Sequence, residues 1–141
     1  LPIYAVWGER IEADPDRMFP MIRERFRSGR NFRADQIDRA RLAFKRLSRS
    51  YLARTAAYDA VLSPTTPNLP PPVDRLEADE DFYVAQNLLA LRNTRLGNLF
   101  GLCGLTLPTP TPCAGLLLTG RPFDEARLLR LGAAAEAALA A

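Results

Sequence analysis

The clearest periodic signal lies in residues 35–57. Ile37, Ala40, Phe44, Leu47 and Tyr51 recur at spacings of three and four, which places them on one face of a helix. Arg39, Lys45, Arg46 and Arg49 fall mostly on the opposite face, and Asp35 stands where it can cap the first turn. The run that follows, residues 58–63, is short, apolar and stopped by Pro64, which predicts a buried strand. Residues 105–107 before Pro108, and 115–119 before Gly120, have the same form. These runs are continuous rather than alternating, so both faces of the sheet they build are expected to be covered.

Between these strands the pattern changes. Pro67, Pro70, Pro71 and Pro72 cannot donate ladder hydrogen bonds and favour polyproline geometry, so residues 64–79 are expected to form a proline-rich surface loop. Asp79, Glu80 and Asp81 place acids at the start of a helix carried on by Phe82, Ala85, Leu88, Leu89 and Arg92, until Asn93-Thr94 and Gly97 interrupt it. Asp124 is expected to cap a last helix reaching about Leu139, with Phe123 and Leu128 forming a hydrophobic staple. At the other end, residues 1–7 alternate weakly as a strand would. Asp14-Pro15-Asp16 reads as a turn, and a short helix is expected over residues 20–27, ended by Ser28-Gly29. Helices and strands alternate, which predicts an α/β fold: a small mixed sheet flanked by helices, in a single domain over residues 1–141.

Length agrees with one domain, since 141 residues suffice to bury a core without staples. No apolar run approaches the roughly 18 residues that a membrane-spanning helix needs, so no membrane partner is expected. The chain starts at Leu1 rather than Met and shows no charged start followed by an apolar stretch and cleavage site, so a cut boundary and a cytoplasmic setting are expected.

Composition then removes chemistry. The chain has no histidine, so neither a Ser-His-Asp nor a Cys-His arrangement can be built, and the commonest transition-metal ligand is missing. Cys103 and Cys113 stand ten positions apart with no Cys-x-x-Cys pair, which argues against a structural zinc site and for two reduced core residues. No phosphate-cradling glycine loop occurs, and no metal or cofactor is expected. Between Arg23 and Arg54 there are eleven basic residues against three acidic ones, counted along the sequence. A basic stretch invites a nucleic-acid reading, in which helix 35–57 serves a binding module. The absence of interleaved aromatics and of a glycine-rich loop favours a solvated helix face instead, so nucleic acid is not the expected partner.

Three blocks are more specific. Residues 58–67, Tyr-Asp-Ala-Val-Leu-Ser-Pro-Thr-Thr-Pro, resemble the "yDallsPTtP" element of the amidase signature family. Residues 93–108 are similar to its "nT-pfNllGLPalslP", and residues 115–125 to its "GlqlvGrpfdE", in the same order and spacing. Cys103 and Gly104 stand where that family usually has proline and alanine. The resemblance implies the C-terminal portion of an amidase, or of an enzyme like the A subunit of an amidotransferase. It also implies a serine nucleophile, a bridging serine in a cis peptide and a lysine base, all upstream of the matched blocks, acting on a small amide without a cofactor. No catalytic residue is therefore expected in this chain; Lys45 sits mid-helix between Phe44 and Arg46, away from any serine-glycine loop. Asp59, Pro64, Pro67, Asn98, Gly101, Gly115 and Gly120 are expected to shape the backbone, with Asp59 accepting backbone N–H bonds. Thr65 and Thr66 are expected to line one wall of a substrate pocket, because α/β folds place ligands where loops leave strand ends. The missing N-terminal catalytic portion is the expected partner, and a piece cut from a larger sheet is expected to self-associate.

Overall fold

The computed structural model describes residues 3–139, and the chain divides into two compact units between Ala43 and Phe44. The first unit opens with helix α1 (Ile3–Ala13), not the strand expected over residues 1–7; Leu1 and Pro2 lie outside the described residues. The inward positions of α1 are Tyr4, Gly8 and Ile11, four and three apart, and Gly8 is buried because the Tyr4 ring lies over it: a Cβ there would meet Tyr4 Cε1 at 2.9 Å. A glycine at a helical contact position carries no side chain to mark the period, which is why the stretch looks like weak alternation. A 3₁₀ turn (Pro15–Arg17) then leads to α2 (Pro20–Arg27), which matches the expected helix, and a second 3₁₀ turn (Ser28–Asn31) follows.

Glu12 ties this unit together. Its carboxylate accepts hydrogen bonds from Arg27 Nε (3.0 Å) and Nη2 (2.7 Å), from Arg30 Nη2 (2.9 Å) and from the Tyr4 hydroxyl (3.0 Å). The Arg30 guanidinium also lies 4.7 Å from the centroid of the Tyr4 ring. The hydrogen bonds from Arg27 hold the Glu12 carboxyl at about 2, well below the ordinary carboxylate range.

Helix α3 (Ala34–Arg54) runs through the boundary between the units, with Asp35 in its first turn paired to Arg33 and Arg39. It ends three residues short of the expected Ala57. The second unit continues with β1 (Val61–Pro64), α4 (Val73–Ala78), α5 (Glu80–Ala90), α6 (Arg92–Phe100), β2 (Cys103–Pro108), β3 (Gly115–Gly120) and α7 (Glu125–Leu139). Within the proline-rich stretch, Pro72 introduces the short helix α4, where its fixed φ suits the position before the first turn. Asp79 caps α5, its Oδ1 accepting from the Phe82 amide at 2.9 Å. Asn93, Thr94 and Gly97 do not interrupt a helix; they lie inside α6, which stops at Gly101, a left-handed cap with φ of 67°.

The α/β class with a small sheet is borne out. The sheet has three strands in the order β1-β3-β2 and is antiparallel throughout rather than mixed. The short connection from β2 to β3 permits only an antiparallel hairpin, and β1 then joins the far side of β3. In register, Leu62, Leu118 and Leu105 lie abreast, as do Pro64, Leu116 and Leu107. On this face Cys103, Leu107 and Leu118 form the core with Leu128 of α7, and Leu131, Ala135 and Leu139 pack around them. Helix and sheet approach closely at Gly132, where a Cβ would come within 2.1 Å of Leu105 Cδ2.

Coverage of both faces holds for the central strand only. Adjacent Leu117 and Leu118 of β3 are 7% and 3% exposed, so one points to each face and both are buried. Leu62 on the edge strand β1 is 60% exposed, because α7 packs on β2 and β3. The expected staple is also absent. Phe123 has a left-handed φ of 61° and is 95% exposed, directed away from Leu128. Of the cysteines, Cys103 is buried and free, whereas Cys113, expected in the core, is exposed and free in the hairpin loop at a φ of 60°.

Candidate functional site

The second face of the sheet carries an open cleft of about 280 Å³, floored by Leu117 and bordered by α6. On α6, Thr94, Gly97 and Asn98 stand three and four apart and so share one helix face. On the sheet, Gly104 and Thr106 of β2 alternate onto the same face as Leu117 and Thr119 of β3. The result is a cleft lined by three threonine hydroxyls and one carboxamide, with no charged side chain.

Each hydroxyl and amide is placed by local structure. Thr94 Oγ1 donates back to the carbonyl of Leu91, the residue just before α6, at 3.4 Å. Neighbouring Asn93 donates from Nδ2 to the Pro64 carbonyl at 2.7 Å, which fixes the start of α6 against the end of β1. That carbonyl is where the expected pocket loop begins. Thr65 N–H donates to the Gly115 carbonyl at 2.8 Å, and Thr65 Oγ1 donates to Thr106 Oγ1 at 3.3 Å. Thr65 therefore adjoins the rim of the cleft through Thr106, while Thr66 turns aside and donates to the Asn68 carbonyl at 3.2 Å. Asn68 Nδ2 in turn donates to Gln86 Oε1 at 2.9 Å, which attaches the proline-rich segment to α5.

The backbone-shaping residues fall in several places. Gly115 packs against Thr65, with a Cβ position only 2.8 Å from Thr65 Oγ1, and Gly120 lies under Leu128. Asn98 lies within α6 and lines the cleft. Asp59 pairs with the Arg127 guanidinium of α7, not with backbone N–H groups, and Arg121 Nη2 donates to the Ala56 carbonyl at 2.5 Å beside it. These two arginine contacts anchor the segment between α3 and β1. Nearby, the Tyr51 hydroxyl is buried without a hydrogen-bond partner, and burial pushes its pKa up.

Chemically, the cleft can present hydrogen bonds to an uncharged polar group. It contains no acid, base or cation that could move a proton, and its one thiol, Cys103, is also a core residue. Ser28 Oγ donates to the Arg25 carbonyl, and among the described residues no serine is hydrogen-bonded to Lys45, which is exposed on α3. Among the described residues no group of three or more His, Cys, Asp or Glu is gathered to hold a metal, and no helix is long and apolar enough to cross a membrane. The threonines that sequence reasoning missed were marked by a recoverable signal: a shared parity on β2 and β3, and a 94, 97, 98 spacing once α6 is read through its asparagine and glycine.

No family model matches the chain, and no solved structure matches it. Several curated proteins are similar to it. A 2-amino-5-chloromuconic acid deaminase of Comamonas testosteroni is 32% identical over 126 residues, covering 86% of this chain and 27% of that protein. The A subunit of a glutamyl-tRNA(Gln) amidotransferase of Acidobacterium capsulatum is 34% identical over 94 residues, covering 64% of this chain and 19% of that protein. Its counterpart from Salinibacter ruber is 43% identical over 82 residues, covering 54% and 15%. The chain thus spans about a quarter or less of the length of these relatives. The resemblance read from the blocks at residues 58–67, 93–108 and 115–125 is borne out by these relatives, and the chain is related over most of its length to members of the amidase signature family.

Proposed function

We propose that this chain is the C-terminal portion of a cytoplasmic enzyme that cleaves a carboxylic amide, and that its own contribution is one wall of the substrate pocket. The reaction is serine attack on the amide carbonyl followed by hydrolysis of the acyl-enzyme, with the nucleophile, the bridging serine and the lysine base supplied by the N-terminal portion. One observation carries the reading: the cleft beside Thr65 is lined by hydroxyls and a carboxamide and holds no acid or base. Such a surface can orient a neutral amide by hydrogen bonds while leaving proton transfer to groups outside the chain. The likeness to proteins several times longer supports the same division of labour. Because two relatives belong to amidotransferases, the glutaminase part of a tRNA-dependent amidotransferase is the second reading; both share the amide-cleaving step.

The test is to incubate the 141-residue chain with a panel of simple amides and with a serine-directed phosphonate. No turnover and no covalent label are expected, since among the described residues no serine is hydrogen-bonded to Lys45. Labelling of Ser28, Ser48, Ser50 or Ser63 would overturn the reading. Submicromolar RNA binding that survives physiological salt would favour a binding module built on the basic face of α3 instead.

A further inference from the structure

We propose that Asn93 is a positioning residue for the cleft: its carboxamide ties the start of α6 to the end of β1 and so holds the two hydroxyl-bearing walls at one spacing. The proposal rests on the reading of that cleft as a wall of the amide pocket. Thr94, Gly97 and Asn98 form the α6 wall, and Thr106 belongs to the sheet wall, with Thr65 bonded to it from the end of β1. Asn93, half-buried beside Thr94, crosses from the first wall to the strand that leads into Thr65, donating from Nδ2 to the Pro64 carbonyl at 2.7 Å.

Helix α6 does not itself call for an asparagine at this position. Its N-cap is Leu91, without a side-chain cap bond, and Asn93 is the second residue of the helix. Asparagine is a poor helix former, because its amide competes for nearby backbone groups. Here the amide is used outside the helix and is oriented at both ends. Arg92 Nε donates to its Oδ1 at 3.4 Å, which leaves the donor Nδ2 to face Pro64.

The accepting end is equally constrained. Pro64 has no N–H, so its carbonyl is the one hydrogen-bonding group that its backbone offers. Thr65, the next residue, is held on two sides: its N–H donates to the Gly115 carbonyl at 2.8 Å and its Oγ1 to Thr106 Oγ1 at 3.3 Å. That hydroxyl fills the space a side chain on Gly115 would need, since a Cβ there would lie 2.8 Å from it. A shift at the end of β1 therefore carries the Thr65 hydroxyl away from Thr106. Misplacement by about 1 Å is enough to spoil the alignment of a bound substrate.

Asn93→Asp is the discriminating variant. It keeps the shape, sets an oxygen that only accepts against the Pro64 carbonyl, and adds a negative charge in the first turn of α6, where the helix dipole favours it. A residue that served α6 alone would tolerate this change. In the 141-residue chain, the Thr65 amide should exchange hydrogen at least about tenfold faster, while the β2–β3 ladder amides and the urea midpoint stay as in the native chain. In the full-length enzyme, the amide of the panel that is turned over best should show a KM raised at least about fivefold, with kcat and the rate of phosphonate labelling unchanged. Asn93→Ala removes the donor without adding charge and should do the same, which covers a failure of the aspartate variant to fold. Thr65 exchange or a KM left unchanged in both variants would overturn the role of Asn93. So would a fall in the urea midpoint with every amide exchanging faster, since that is the signature of a purely structural residue. Absence of both turnover and labelling in the native full-length enzyme would instead overturn the pocket reading on which the proposal rests.

Discussion

Gly132 offers a sharp test of how α7 meets the sheet. A Cβ built there lies 2.1 Å from Leu105 Cδ2 and 4.0 Å from Leu107 Cδ2, so Gly132→Ala forces Leu105 to move. The obstructing atom is the far end of a partly exposed side chain that also lines a cleft of about 360 Å³, so Leu105 can swing outwards. That adjustment costs about 0.5–1.5 kcal/mol for an off-minimum rotamer. Replacing a mid-helix glycine by alanine returns about 1 kcal/mol. The two nearly cancel, and Gly132→Ala is expected within about 1 kcal/mol of the native chain. Gly132→Leu adds three more carbons between α7 and β2, where overpacking costs about 1–3 kcal/mol, and should be clearly destabilising. Urea unfolding followed by circular dichroism, in solution dilute enough to hold single chains, gives both values from midpoints at constant m. A loss above about 2 kcal/mol for the alanine variant would refute the idea that Leu105 has room to yield. A leucine variant as stable as the native chain would show that the close approach does not exist.

Three further outcomes are expected. Leu118→Ala, at the centre of the sheet and 3% exposed, should cost about 2–5 kcal/mol in the same assay, whereas Leu62→Ala on the exposed edge should cost less than about 1 kcal/mol. Because folding lowers the Glu12 carboxyl from 4.5 to about 2, its contribution is present above pH 4.5 and is lost as the pH falls towards 2; hydrogen exchange in α1 and α2 should rise over that window, and Glu12→Gln should abolish the pH dependence. Tyr51→Phe removes a buried hydroxyl with no partner and should leave stability unchanged or raise it by up to about 1 kcal/mol; a loss above that, read from the urea midpoint, would show that the hydroxyl is bonded after all.

What sequence reading recovered depended on whether side chains carried the period. Helix α2, the three strands, α5 and α7 were legible because apolar residues mark their inward positions. The misread places share a cause. Gly8 and Gly97 sit on inward or cleft-facing positions of helices, where an absent side chain leaves a gap that looks like a break or an alternation. Phe123 was assigned to a staple from its distance along the chain, but a left-handed φ turns it to solvent, and spacing alone carries no information on φ. The cleft was half visible. Thr65 was singled out by its place after a strand, while Thr106 and Thr119 become neighbours only once the β2–β3 register is known, a fact of pairing rather than of local pattern. The Asp59–Arg127 contact spans 68 positions and was likewise beyond local reading.

The sheet order has a consequence for the time course of synthesis. Strand β3 is the last of the three to leave the ribosome, yet it is the one between the other two. Until residues 115–120 emerge, β1 and β2 have no common neighbour, and neither can complete a ladder with the other. The nascent chain must therefore hold two unpaired strands in waiting, and α7, which packs on β2 and β3, arrives later still. A ribosome stalled before Gly115 would present two unpaired segments, both open to chaperones and proteases, whereas one that had released Gly120 would present all three strands joined in one sheet.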